Sequence, residues 1–173
     1  MRTVSDDQEH GLRTVRLAPP PAVAMEDTFE RTARVTVPPA EVWARLHDVD
    51  LLASYSSHLG PVTTIEPGQR WKVSLQDRLG LLKLSAPFDV EIVEETAPVE
   101  VSIRASGRDR GPGTRLGVVA SVRIDATDGD TLLTLTGSYH LTGKAVTLGA
   151  GVARRRAATM IDEFWTNLTA DLG

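Results

Sequence analysis

The chain has 173 residues, 41% of them apolar, which is enough for one domain with a real core, and 19 basic against 23 acidic side chains give a formal charge of −4. That balance argues against nonspecific binding along nucleic acid, which is not expected as a partner. The absence of cysteine excludes disulfides, thiolate nucleophiles, Fe–S clusters and cysteine-ligated zinc; no apolar run approaches the roughly 18 residues of a membrane span, and an N-terminus carrying Asp6, Asp7 and Glu9 is unlike a signal peptide, so a cytoplasmic protein is expected.

Residues 1–26 lack a sustained period and include Ala18-Pro19-Pro20-Pro21-Ala22, which favours polyproline geometry; they read as a tail, either a spacer or a segment that docks on a partner's aromatic groove. Residues 27–173 read as a single domain. It opens on Phe29, Arg31, Ala33, Val35 and Val37 alternating against Glu30, Thr32, Arg34 and Thr36, a strand stopped by Pro38-Pro39. Pro39 fits a first helical turn, and Val42, Trp43 and Leu46 supply the apolar stripe of a short helix; a second is predicted over Asp50 to Tyr55, followed by a turn at Gly60-Pro61.

Five alternating segments follow. Trp71, Val73 and Leu75 oppose Arg70, Lys72 and Ser74; Leu82, Leu84, Ala86, Phe88, Val90 and Ile92 oppose Lys83, Ser85, Asp89 and Glu91; Val99, Val101, Ile103 and Ala105 oppose Glu100, Ser102 and Arg104. Leu116, Val118, Ala120, Val122 and Ile124 oppose Arg115, Ser121 and Arg123, and Leu133, Leu135, Gly137, Tyr139 and Leu141 oppose Thr134, Thr136, Ser138 and His140. Such alternation predicts an antiparallel sheet with one wet face and one buried face, broken into hairpins at Pro98, Gly111-Pro112-Gly113 and Asp128-Gly129-Asp130. The period then changes: Ala153, Ala157, Met160, Ile161, Phe164 and Leu168 recur at steps of three and four, the stripe of a long helix that needs the sheet's inner face as cover. The expected fold is α+β, a curved antiparallel sheet of about seven strands wrapped around a long C-terminal helix, with two short helices after the first strand.

Near the middle of four strands the inward residue is small: Ala86, Ala105, Ala120 and Gly137. Either these admit the helix backbone closely, or they hollow out a pocket lined by Trp71, Leu84, Phe88, Ile103, Val118, Leu135, Met160 and Phe164, with Tyr139 as the one polar tip. No catalytic residues are assigned. His10, His47, His58 and His140 are too scattered for a metal site, and Ser54, Ser56 and Ser57 near His58 lack a Gly-x-Ser-x-Gly elbow and read as a polar loop. Gly111-Pro112-Gly113 has no Gly-Lys-Ser/Thr after it and reads as a turn rather than a phosphate loop. Arg104, Arg108, Arg110 and Arg115 crowd one hairpin and Arg154, Arg155 and Arg156 one helix; the hairpin set is a candidate contact for an anionic membrane surface or an acidic partner.

Pro38-Pro39-Ala40-Glu41-Val42-Trp43, Leu46-His47-Asp48 and the closing helix resemble the START-related helix-grip superfamily, often called SRPBCC. The segment from Leu141 through Thr142-Gly143-Lys144-Ala145-Val146-Thr147-Leu148 to Gly149, leading into Met160-Ile161-Asp162-Glu163-Phe164-Trp165, is similar to the closing segment of the G-type accessory proteins of carbon monoxide dehydrogenase. The resemblance runs over roughly residues 28–172. Tyr55-Ser56-Ser57-His58 stands where that family has Ile-Pro-Gly-Cys, and Gly107 to Gly113 carries arginines where its hairpin is rich in glycine and alanine. The resemblance implies a noncatalytic accessory of a molybdenum-containing carbon monoxide dehydrogenase-type enzyme that needs no cofactor of its own, holds a quinone or other lipid, and sits in the cytoplasm or peripherally at the inner face of the membrane. A fatty acid, isoprenoid or polyketide suits the same walls. Two other readings stay open, a polyketide cyclase or aromatase of the same superfamily and an interaction module with no ligand.

Overall fold

In a computed structural model, which describes residues 24–79, 81–110, 113–147 and 149–173, the alternating segments pair into one seven-stranded antiparallel sheet of order β1-β7-β6-β5-β4-β3-β2. The strands are β1 (Ala24–Val35), β2 (Leu59–Glu66), β3 (Arg70–Leu79), β4 (Leu82–Thr96), β5 (Glu100–Arg108), β6 (Arg115–Ala126) and β7 (Thr131–Thr142). From β2 to β7 each strand pairs with the next in sequence. Only β1 reaches across to β7, so helices α1 (Pro39–Leu46) and α2 (Val49–Ser54) carry the chain from one sheet edge to the other. Pro39 opens α1, where a missing N–H costs nothing, and Asp48 caps α2 by accepting Leu51 N–H at 3.1 Å. After β7 come a single turn, α3 (Lys144–Thr147), and the long helix α4 (Ala150–Asp171).

Several boundaries differ from the sequence expectation. Strand β1 begins at Ala24, because Ala24, Met25 and Glu26 pair with Thr142, Leu141 and His140, and Met25 is buried; the remainder of the expected proline-rich tail lies outside the described residues. Gly60-Pro61 is no turn. Both lie in β2, an edge strand with an irregular register between Leu59 and Val62, where a proline removes no ladder bond that the sheet requires. Helix α2 starts at Val49 and ends at Ser54 rather than spanning Asp50 to Tyr55, shifted by its cap at Asp48. Val99, expected to head an inward row, lies in the turn before β5 and is exposed.

Two packed cores lie between sheet and helices. One gathers Met25, Leu75, Leu84, Ala86, Tyr139, Leu141, Val146 and Ala153 near the start of α4; the other gathers Val35, Val42, Ile124, Leu133, Trp165, Leu168 and Leu172 near its end, around α1. Gly137 serves packing rather than hollowing: a Cβ there would fall 2.5 Å from the Val119 carbonyl oxygen and against the Phe29 ring, which covers the glycine from the paired strand.

Candidate functional site

Between the two cores the inner face is not filled. A cavity of about 350 Å³ is bounded by Leu46, Val49, Leu52 and Ala53 from α1 and α2, by inward residues of β2 to β7, and by Met160 and Phe164 from α4. Small residues make the room, since Ala105 and Ala120 stand on adjacent central strands where a larger side chain would reach the helix. A second lobe of about 210 Å³ shares Leu59, Ala120, Leu135, Met160 and Phe164 with the first and extends toward Phe29, Ile161 and one polar residue, Ser56.

Of the residues expected to line a pocket, Trp71, Phe88, Ile103, Val118, Leu135, Met160 and Phe164 border this cavity. Leu84 and Tyr139 do not; both are buried in the core beside the start of α4. Their strands do face inward, but the chain there is covered by α3 and Ala153 rather than left open. Tyr139 therefore supplies no polar tip to the cavity; burial, reinforced by the nearby Asp27 carboxylate, pushes its hydroxyl pKa up. Every side chain bordering the main cavity is aliphatic, aromatic or a thioether. The one polar hydrogen among them is the Trp71 indole N–H, which has no hydrogen-bond partner among the described residues.

A polar seam runs along another side of α4. Arg156, Glu163, Asn167 and Asp171 are spaced seven, four and four residues apart and so share one helix face. Arg156 Nε and Nη2 donate to the Asp77 carboxylate of β3 at 2.5–3.2 Å. Glu163 accepts the Ser57 N–H at 3.0 Å, Asn167 Nδ2 donates to the Tyr55 carbonyl at 2.8 Å, and Asp171 accepts the Tyr55 hydroxyl at 2.5 Å and the Arg45 guanidinium. His58 sits between, with Nδ1 3.4 Å from Asp77 and Nε2 3.7 Å from Glu163. Burial opposes the charge on Asp77, whose side chain is 6% exposed, but the Arg156 hydrogen bonds, the Arg78 N–H and the Arg156 and His58 charges outweigh it and hold its pKa below the ordinary value. Ser57 holds Glu163 low through its hydroxyl and its N–H, and the Tyr55 hydroxyl does the same for Asp171. None of these groups borders the cavity, so no acid or base among the described residues faces its interior.

Single-chain periodicity gives no sign of this seam, because its partners come from segments up to 126 residues apart. In the serine–histidine loop Ser56 is buried, and the acids that meet His58, Asp77 and Glu163, come from β3 and α4 and are invisible in local sequence. The hairpin arginines stay exposed: Arg104 pairs with Glu91 at 3.1 Å, while Arg108, Arg110 and Arg115 have no ion pair among the described residues. Of the helix arginines, Arg154 pairs with Asp27 at 3.2 Å and Arg156 with Asp77. No helix among the described residues is long and apolar enough to cross a membrane.

A family model described as polyketide cyclase / dehydrase and lipid transport matches residues 26–173. No curated protein matches the sequence. Among solved structures, a conserved protein from Geobacillus kaustophilus superposes with a TM-score of 0.72 at 19% identity, covering 86% of this chain and 95% of that one. The ZhuI aromatase/cyclase from Streptomyces sp. R1128 gives 0.58 at 18% identity over 86% and 94%, and a START superfamily protein from Mycobacterium smegmatis gives 0.61 at 10% identity over 84% and 96%. At these identities the likeness is one of fold, the START-related helix-grip.

Proposed function

Because the chain belongs to the polyketide cyclase / dehydrase and lipid transport family, we propose that it is a noncatalytic carrier of an apolar small molecule, held between the inner face of the sheet and α4. The observation that carries this reading is the lining of the main cavity, which is aliphatic, aromatic or thioether throughout. Water in such a space, on the order of ten molecules by liquid volume, finds almost no hydrogen-bonding wall. A cargo losing about 300 Å² of apolar surface gains about 7 kcal/mol, before the cost of association. Trp71 in the main cavity and Ser56 in the second lobe carry the side-chain donors along these walls.

A quinone carries carbonyl acceptors for such donors. The finer reading, a quinone carrier in the cytoplasm serving a molybdenum-containing dehydrogenase, rests on the similarity of Leu141 to Gly149 and Met160 to Trp165 to the G-type accessory proteins of carbon monoxide dehydrogenase. The cyclase reading draws on the fold shared with an aromatase/cyclase, and against it stands the absence of an acid or base along the described walls.

Titration of decylubiquinone and of palmitate, followed by quenching of tryptophan fluorescence, tests the carrier reading. Saturable one-to-one binding is expected, weakened at least about ten-fold by Ala105→Phe, which fills the space between Val90 and Val118. Failure of every apolar probe to bind saturably, or conversion of a poly-β-ketone probe to a cyclised product, would contradict it.

A further inference from the structure

The antiparallel topology sorts the connections to two ends of the sheet. The β3–β4 and β5–β6 hairpins, the exit from β7 and α3 lie at one end; the β2–β3, β4–β5 and β6–β7 turns lie at the other. Charge is sorted in the same way. At the first end Arg78, Lys83, Arg108, Arg110, Arg115 and Lys144 are exposed, and none has an ion pair among the described residues. The acids there are engaged or peripheral: Asp77 is held by Arg156, Asp109 accepts the Ser85 N–H at 3.4 Å, Asp27 pairs with Arg154, and Glu26 stands on the edge strand β1. The opposite end carries exposed Glu66, Glu94, Glu95 and Asp128, with Glu95 paired to His47, beside the exposed arginines Arg34 and Arg70, so acids outnumber bases there. A chain of net charge −4 thus has one strongly basic end.

That same end presents apolar side chains to solvent. Leu81, in the β3–β4 connection, is fully exposed, and Val152, in the first turn of α4, is 43% exposed. The Arg156–Asp77 pair ties the first turns of α4 to the end of β3, four residues before Leu81, so both belong to one surface. An exposed leucine at the end that carries these unpaired cations has a complement in a bilayer, where anionic headgroups meet the charges and the acyl boundary receives the side chain. A nucleic-acid backbone satisfies the cations but offers Leu81 nothing.

We propose that this basic end docks on an anionic lipid surface, with Leu81 inserting below the headgroups and the acidic end turned away from the membrane. The docking is independent of what the cavity holds. Flotation with vesicles tests it on the full chain. Wild type is expected to float with vesicles of phosphatidylcholine and phosphatidylglycerol, to stay behind with phosphatidylcholine alone, and to detach as salt rises. Combined Arg108→Gln, Arg110→Gln and Arg115→Gln is expected to weaken binding about a hundred-fold at low salt, at about five-fold per charge. Leu81→Ser should weaken it about ten-fold. Glu94→Gln with Glu95→Gln, at the other end, should not weaken it. All these positions are exposed, and unchanged circular dichroism and melting would establish that the variants fold. Equal binding by the triple variant, equal flotation with neutral vesicles, or vesicle binding indifferent to Leu81 alongside tighter binding to a DNA duplex would overturn the proposal.

Discussion

Helix α4 meets the rest of the molecule through two unlike sides. Toward the sheet it presents Met160, Phe164 and Leu168, contacts without direction, and there the packing is complete at Leu168 but leaves a void beneath Met160 and Phe164. Toward Asp77 and the segment from Arg45 to His58 it presents Arg156, Glu163, Asn167 and Asp171, each fixed by directional hydrogen bonds. Apolar contact alone would favour settling of the helix into the void, because unfilled space beside apolar side chains forfeits packing contacts. The directional bonds of the polar seam oppose such settling. A cavity that persists needs support from outside its own walls.

The sharpest way to break this contrast is to truncate both parts of the apolar side. Leu168→Ala, in the filled part, is expected to cost about 3–4 kcal/mol in chemical denaturation, whereas Met160→Ala, which faces the void, should cost about 1 kcal/mol. Equal losses would mean that the cavity is closed in solution. Gly137→Ala comes next, at about 2 kcal/mol, because the added methyl meets the fixed Val119 carbonyl as well as the Phe29 ring. A neutral result there would return Gly137 to the set of residues that hollow the pocket.

On the polar side, Asp77→Asn should cost about 1–2 kcal/mol, less than a fully buried pair because Arg156 keeps access to water. It should also lower the affinity for apolar cargo by loosening α4 over the cavity. The pH dependence follows from the depressed carboxylates. Asp77, Glu163 and Asp171 have folded pKa values below their ordinary ones, so their contribution is fully present above those ordinary values, 3.8 for Asp and 4.5 for Glu, and is lost as pH falls from there through the folded values. Acid titration of stability should therefore steepen below about pH 4.5, and the combination of Asp77→Asn with Glu163→Gln should flatten it. Identical acid profiles for wild type and double variant would remove the seam from the account.

How much of this is legible in sequence follows from the same division. The inner face is readable because strand alternation is local: period alone places Trp71, Phe88, Ile103, Val118 and Leu135, and the helical stripe places Met160 and Phe164. What period cannot give is which part of an inward row is covered. Leu84 and Tyr139 share the alternation of Phe88 and Leu135, yet α3 and Ala153 fill the space over them. Gly137 looks like emptiness because the ring that occupies it, Phe29, comes from a strand more than 100 residues away in sequence. Strand β2 reads in part as a turn because Gly60 and Pro61 signal one, and only its place at the sheet edge makes them tolerable. The seam is not legible at all, since an arginine in a charge run looks the same whether it faces solvent, as Arg155 does, or grips a buried aspartate, as Arg156 does.

The most direct test of the central claim is organic-solvent extraction of the natively purified protein, followed by mass spectrometry of what is released. An apolar molecule in near-stoichiometric amount is expected from the wild type, together with a melting temperature that drops when the cargo is stripped, and little or none from Ala105→Phe. An empty extract from the wild type, repeated after incubation with membrane lipid, would contradict the carrier account.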